Sequence, residues 1–193
     1  MGRKQAFANE EILEIAMKLF WVKGFHATSI DDLVHELGIN RSSIYHCYGG
    51  KKELFFKALE QFKNQSFSKI KANFENTTSI KKSFLRLFES TIDFLNRDKS
   101  RNGCLLINTI TELVPEDKEL ELFLQKNKME TEKLFIEMIE KGIQTGEFKN
   151  CKNPEGLGQI LFTIHSGLGV IYKFPNKVDY KKNLLQQIEK LLN

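Results

Sequence analysis

The sequence predicts an all-α fold of about nine helices, and three observations support that prediction. Apolar residues recur at helical spacing through most of the 193-residue chain. Only three prolines interrupt it, and Leu, Ile, Lys and Glu dominate the composition, which favours helices. No apolar run reaches the roughly 18–20 residues that are needed to span a bilayer. The length is sufficient for one or two domains with cores of their own.

The N-terminal residues predict a loose basic arm followed by a supporting helix. Residues 1–8, which include Arg3 and Lys4, are expected to form the arm. Asn9 is expected to cap the first helix, which ends at Gly24. The start of the chain has no apolar signal-peptide core, and its three cysteines form no C-x-x-C pair. Both features favour a reducing cytoplasm over export, and neither a disulfide framework nor a zinc site is expected.

Residues 28–56 predict two short helices joined by a tight turn, and then the start of a third helix. The first is expected over residues 31–37 and ends at Gly38, because glycine readily enters the left-handed conformation. Asn40 can cap the second, which is expected over residues 41–45. Its outward face is short, polar and rich in donors, and consists of Asn40, Arg41, Ser42, Ser43, Tyr45 and His46. None is a carboxylate, which would repel a phosphate backbone, so the pair is typical of a helix-turn-helix that reads DNA.

An ordered series of motifs extends over about fifty residues of this region. It reads F-x-x-x-G-F-x-x-T-S-I-x-D-L from Phe20, G-I-x-x-x-x-I-Y from Gly38 and Y-G-x-K-x-E-L-F from Tyr48. Together these motifs resemble the DNA-binding domain of the tetracycline-repressor (TetR/AcrR) family. Cys47, Tyr48 and Gly50 depart from the residues usual in that family, although glycine is a tolerable helix cap.

The resemblance implies a helix-turn-helix DNA-binding domain over residues 1–50 and a helical ligand-binding and dimerisation domain over residues 51–193. It also implies a homodimer that binds a palindromic double-stranded DNA operator, with repression as the family default and a small-molecule effector that releases the DNA. Arg41 is expected to contact a base and Lys51 a phosphate, while Arg3 and Lys4 could lie along the minor groove. The full set of predicted DNA contacts is Thr28, Ser29, Asn40, Arg41, Ser42, Ser43, Tyr45, His46, Tyr48 and Lys51.

Six further helices are predicted after this region. They are expected over residues 51–73, 80–96, 103–113, 116–146, 154–174 and 180–192. Asn76 lies in a polar break, Pro115 ends the helix that begins at 103, and Pro175 ends the one that begins at 154. The helix over 51–73 joins the two domains without a flexible linker, so it could transmit a shift between them.

A phenylalanine-rich part of the larger domain predicts an apolar pocket with a few polar groups, which suits a hydrophobic or aromatic effector. The expected lining residues are Phe88, Ile92, Cys104, Asn108, Phe135, Met138, Phe162, His165 and Ser166. The alternative is an ordinary core. G-C-L-L-x-N around Cys104 also resembles a subset of the family in which a cysteine senses electrophiles or oxidants. A thiol at a helix start could have a lowered pKa, whereas the alternative is a small buried apolar residue.

The glycine-rich helix that begins at Pro154 predicts a subunit interface. A glycine inside a helix costs about 1 kcal/mol relative to alanine, and is retained where another backbone approaches closely. With the last helix it is expected to form a four-helix dimer interface, as the resemblance also implies. The expected interface residues are Gly158, Leu161, Gly167, Gly169, Leu184 and Ile188. The alternative is that both helices pack within one monomer.

Other function classes find little support in the sequence. It contains no G-x-S-x-G, P-loop, G-x-G-x-x-G or H-E-x-x-H motif, and its four histidines are not paired with acids at metal-binding spacing. Neither an enzyme nor a bound metal or cofactor is therefore expected. The net charge of +4 permits DNA binding without demonstrating it. The remaining alternative is a helical small-molecule-binding or interaction module, which leaves the polar face over residues 40–46 unexplained.

Overall fold

Helices make up the regular structure of the part of the chain that can be described. The computed structural model describes residues 2–75, 77–174 and 180–193, with side chains described from residue 9 onward. Within these ranges the helices are α1 (Gly2–Lys23), α2 (Ile30–Leu37), α3 (Arg41–Tyr48), α4 (Lys51–Phe74), α5 (Ile80–Arg97), α6 (Leu105–Leu113), α7 (Lys118–Gln144), α8 (Pro154–Ile171) and α9 (Tyr180–Leu191). The all-α prediction is confirmed for these residues. None of these helices combines the length and apolar character that crossing a bilayer requires.

The first helix begins earlier than the sequence indicated. Because α1 starts at Gly2, the prediction of a loose arm is wrong for residues 2–8, and so is the prediction that Asn9 caps the helix. Asn9 lies inside α1, where its side chain accepts a hydrogen bond from Tyr48 (2.6 Å). The side chains of Arg3 and Lys4 lie outside the described residues.

Both ends of the two short helices are capped, and Gly38 and Asn40 have the capping roles that the sequence predicted. Ser29 starts α2 with a capping box, in which its Oγ accepts from Asp32 N–H (3.0 Å) and Asp32 accepts from Ser29 N–H (2.8 Å). Gly38 ends α2 in the left-handed conformation, at φ 64°. Helix α3 continues to Tyr48, three residues beyond its predicted end, because Gly49 at φ 93° is the residue that terminates it.

Helix α4 joins two hydrophobic clusters. Leu54, Phe55 and Leu59 belong to the first cluster, which holds α1–α3 together and also receives side chains from α6 and α7. Phe74, at the other end of α4, belongs to the second cluster, which is built from α5, α7, α8 and α9. A single continuous helix therefore connects the helix-turn-helix to the larger helical region, as predicted.

The remaining helices match the predicted ones, with small differences at their ends. Helix α6 starts at Leu105 and not at Gly103, which adopts φ 71°. Asp117 caps α7 by accepting from Glu119 N–H (3.1 Å), so this helix also starts two residues later than predicted. Pro154 occupies the first turn of α8, as expected. The predictions for Asn76 and Pro175 lie outside the described residues.

Candidate nucleic-acid interface

Helix α3 presents a polar face to solvent because its apolar side is fully used inside the protein. Ile44 is completely buried, whereas Tyr45 is 51% exposed and Arg41, Ser42 and His46 are also exposed. The outward face predicted from the sequence is therefore present in the structure. Such a face, two turns long and free of carboxylates, can enter a major groove and donate to base edges and phosphates.

Part of this polar set caps the helix. The Oδ1 atom of Asn40 accepts from Ser43 N–H (2.7 Å) and from the Ser42 hydroxyl (2.7 Å), which fixes the start of α3. The amide group at Nδ2 of Asn40 makes no hydrogen bond among the described residues. Asn40 therefore keeps a donor for a ligand while its oxygen stabilises the helix.

Arg41 is paired with a carboxylate that the sequence analysis did not connect with it. Its Nη2 atom donates to Asp31 Oδ1 in α2 (2.7 Å), and both side chains are exposed. This hydrogen bond raises the pKa of the Arg41 guanidinium. An exposed pair of this kind contributes little to stability and exchanges readily. A base contact by Arg41 thus uses its remaining N–H groups or displaces Asp31.

Two of the predicted DNA contacts, Thr28 and Tyr48, do not lie on the surface. Thr28 is fully buried and its hydroxyl donates to the Gly24 carbonyl (2.6 Å). Tyr48 is 6% exposed, its hydroxyl donates to Asn9, and burial raises its pKa. Both hydroxyl hydrogens are used within the protein, where they hold the α1–α2 turn and fix α3 against α1. This placement corrects the expectation that both side chains face DNA. Ser29, in contrast, is exposed beside Thr28.

Lys51 lies at the start of α4, near the surface that α3 forms. Its Nζ atom is 4.4 Å from the centroid of the Phe25 ring and 3.5 Å from the His26 carbonyl oxygen. Partial burial lowers its pKa. No side chain caps α4, because Gly50 occupies the N-cap. Open N–H groups at a helix start beside a lysine favour a phosphate group, which is consistent with the predicted role of Lys51.

Glu112 of α6 contacts this region and was missed by the sequence analysis. Its carboxylate accepts from the backbone N–H groups of Phe25 (3.1 Å) and His26 (2.8 Å). These partners are 87 and 86 positions away in sequence, so no local pattern could have indicated the contact.

Comparison with known families agrees with this geometry. The family model described as bacterial regulatory proteins, tetR family, matches residues 12–58, and the tetracyclin repressor-like C-terminal domain matches residues 83–188. The second match alone covers more than half of the chain. The chain belongs to the TetR family. This family consists of DNA-binding transcriptional regulators and not of enzymes. The predicted resemblance to the TetR family and the expectation that the chain is not an enzyme are therefore confirmed.

Individual TetR-family relatives are similar over most of their length. The HTH-type transcriptional regulator YezE of Bacillus subtilis is 28% identical over 76% of either chain. The transcriptional repressor ComR of Escherichia coli is 25% identical over 88% of this chain and 81% of its own. A cysteine mutant of the regulator CifR, in a complex with 26-base-pair operator DNA, is 26% identical with a TM-score of 0.78, covering 94% of this chain and 93% of its own. Reduced NemR of Escherichia coli shares the fold, with a TM-score of 0.85 at 16% identity over 95% of either chain.

In the TetR-family C-terminal domain, several predicted pocket residues come together around His165. The His165 ring lies 5.8 Å from the rings of both Phe88 and Phe135, and Thr91 Oγ1 lies 3.2 Å from its Nε2. Phe162 packs against Phe135 at 6.1 Å. The remaining members, Met138, Ser166 and Ile92, lie partly or fully buried in the same part of the domain.

This cluster is largely buried and electrically neutral. Phe88, Ile92 and Phe135 have no exposed surface. A small part of the His165 surface is accessible, but the ring itself is enclosed by aromatic groups, and this burial lowers its pKa to about 4. His165 is therefore uncharged near neutral pH. The effector pocket itself remains a prediction.

Cys104 and Asn108 lie apart from the aromatic cluster. Cys104 forms the N-cap position of α6 and packs so closely on α8 that a Cβ on Gly169 would lie 2.7 Å from its own Cβ. Burial raises the pKa of the Cys104 thiol, which favours the alternative of a small buried residue over a reactive thiol at this helix start. Asn108 donates from Nδ2 to the Asn102 carbonyl (2.9 Å) and lines a separate cleft.

Two of the glycines predicted at the subunit interface, Gly158 and Gly169, do lie where another helix approaches closely. The approaching helix belongs to the same protomer in each case. A Cβ on Gly158 would lie 2.7 Å from Ile136 Cγ1 of α7, and Gly169 meets Cys104. Leu161 and Ile188 are fully buried in the second cluster. These four predicted interface residues are therefore core residues of the protomer. Leu184 is partly buried against the same cluster. Gly167 differs, because a Cβ there would meet nothing within 4 Å.

Proposed function

We propose that this TetR-family chain is a ligand-responsive transcriptional repressor that binds a palindromic operator as a homodimer. The observation that carries the proposal is the outward polar face of α3, with Arg41, Tyr45 and His46 exposed above the buried Ile44. The operator-bound CifR mutant, which is similar along 94% of this chain, supports DNA as the partner. In this proposal residues 1–50 bind DNA and residues 51–193 bind the effector and form the dimer.

The outer surface of α8 supports a dimer. Ile160 is 49% exposed, Val170 is 43% exposed and Ile171 is 39% exposed. At 3.6 residues per turn, these side chains share one face with Gly167 at its centre. Leu191 of α9 is 43% exposed, and it lines a cleft of about 320 Å³ together with Ile160. An apolar face of this kind on two adjacent helices favours pairing with a second copy.

A dimer is also needed for useful affinity, since α3 is only eight residues long. Two-fold symmetry would place two copies of α3 in successive major grooves, about 34–36 Å apart or at a longer spacing on the same DNA face. Arg41 would donate to a base, most naturally guanine. Lys51 would contact a phosphate beside the open start of α4.

The effector would enter the aromatic cluster around His165. Neutral His165 and Thr91 supply polar groups within a wall of phenylalanine, which suits a hydrophobic or aromatic small molecule. A reactive effector is supported less well, because burial raises the pKa of Cys104. The effector would release DNA only if it binds more tightly to the arrangement in which the two copies of α3 do not match the operator.

The proposal is tested by fluorescence anisotropy with duplexes taken from upstream of the chain's own gene, over a series of salt concentrations. We expect saturable binding by two protomers per site and a linear fall of log affinity with log salt. A single protomer with no preference among duplexes would contradict the homodimeric repressor. No binding to any duplex at low salt would favour the helical interaction module instead.

A further inference from the structure

The turn between α1 and α2 is shaped around a carboxylate. Gly24 adopts φ 84°, and the next two N–H groups, those of Phe25 and His26, donate to the two carboxylate oxygens of Glu112 at 3.1 and 2.8 Å. A Cβ at position 24 would lie 3.0 and 3.1 Å from those oxygens. Successive N–H groups that converge in this way form a cradle for an anion. Glycine at position 24 thus provides both the backbone conformation and the space for the carboxylate.

Glu112 connects two parts of the protein. It belongs to α6, whereas Phe25 and His26 belong to the helix-turn-helix. Among the described residues, two hydrogen bonds that involve side chains join α5–α9 to α1–α3, and the Glu112 carboxylate accepts both of them. A cleft of about 390 Å³ lies beside this contact, between the turn, α6 and the end of α8. The carboxylate therefore bridges the two domains at the edge of a gap.

The α1–α2 turn also contacts residues of the proposed DNA-binding surface. Thr28 donates to the Gly24 carbonyl (2.6 Å), and Ser29 directly after it caps α2. Lys51 lies over the Phe25 ring at 4.4 Å and near the His26 carbonyl. A displacement of the turn would therefore move the start of α2 and the proposed phosphate contact of Lys51 together.

We propose that Glu112 is a positioning residue for DNA binding, through which α6 sets the orientation of the helix-turn-helix. This inference rests on the proposed function. It adds a polar connection to the continuous helix α4 and to the apolar packing of α6 and α7 on the first cluster. Because the carboxylate holds two backbone N–H groups, a shift of α6 moves the turn directly. Glu112 itself need not touch DNA.

The test uses the full-length chain and three variants. Glu112→Gln keeps one acceptor oxygen but presents an amide donor to the second N–H, and Glu112→Asp keeps the charge but shortens the reach. Glu116→Gln is the matched control, because this nearby glutamate is exposed and its side chain forms no hydrogen bond or ion pair among the described residues. Two quantities are measured for each protein: amide hydrogen exchange at Phe25 and His26 without DNA, and operator affinity over a salt series.

We expect both Glu112 variants to raise exchange at these two amides about tenfold. Operator affinity should fall by about fivefold to tenfold while the salt slope stays unchanged, since no phosphate contact is lost. The control should match the wild type. Unchanged exchange would overturn the inference, and so would faster exchange with wild-type affinity. Wild-type binding tests the proposed function by itself, and the ratio of variant to wild type tests the role of Glu112.

Discussion

Replacing Ile160 by aspartate should separate the proposed dimer. Ile160 lies on the outer face of α8 with 49% of its surface exposed in the protomer, so about half of its area remains available for burial. Complete burial of an isoleucine side chain is worth about 1.5–3 kcal/mol, so the exposed half contributes about 1 kcal/mol. Two-fold symmetry doubles this value to about 2 kcal/mol, and burying a carboxylate adds a further cost. The dimer dissociation constant should therefore rise at least about 30-fold.

The assay is sedimentation equilibrium over a range of protein concentrations at constant salt. Val22→Asp is the matched control, because Val22 is 63% exposed and lies on α1, in the proposed DNA-binding domain and not on α8 or α9. The control should leave the dissociation constant unchanged. A dimer that is equally stable in the Ile160→Asp variant, or equally weakened in the control, would refute the proposed interface. Circular dichroism should show that both variants keep their helical content.

Three other predictions follow from the described side chains. Lys51→Ala should weaken binding to every duplex and reduce the salt slope by about one, measured by anisotropy over a salt series. Tyr48→Phe should leave operator affinity unchanged, because the hydroxyl donates to Asn9 and not to DNA, and should cost about 1 kcal/mol of stability in urea denaturation. For His165, burial lowers the folded-state pKa to about 4 from an ordinary 6.5. The unfolded chain therefore binds the proton at a higher pH than the folded protein does. The stability that is present above pH 6.5 is lost as the pH falls towards 4. Between pH 7 and pH 5 the free energy of unfolding should fall by about 2 kcal/mol.

Each of these predictions has a contradicting outcome. An unchanged salt slope in Lys51→Ala would contradict its phosphate contact. A loss of operator affinity in Tyr48→Phe would show that its hydroxyl reaches DNA. In urea denaturation at the two pH values, His165→Gln should lose less stability than the wild type. An equal loss in both proteins would mean that other groups cause it.

Local patterns were sufficient to predict the helices and most of their caps. Gly38, Asn40 and Pro154 signal helix ends through their own backbone preferences, so these positions could be located without the fold. The end of α3 was less certain, because His46 and Cys47 give no clear helical pattern and Gly49 was the actual stop. The start of α1 was misjudged because a polar basic segment looks like a tail when only its composition is considered.

The structural features that could not be predicted from the sequence are mostly contacts between residues far apart along the chain. The pairing of Tyr48 with Asn9 and of Glu112 with the α1–α2 turn joins residues 39 to 87 positions apart. Gly158 was correctly interpreted as a place of close approach, but a single sequence does not tell whether the approaching backbone belongs to the same chain. The exposed polar face of α3 could be predicted because it depends on one helix alone.

The most direct test of the account is selection of duplexes from a random library by the purified protein, followed by measurement of the mass of the complex. We predict an enriched inverted repeat whose half-sites lie on one face of the DNA, bound by two protomers. Replacing the exposed Arg41 by alanine should relax the preference at one base pair in each half-site. A monomer that enriches no sequence and binds no duplex at low ionic strength would contradict the claim that paired copies of α3 read DNA.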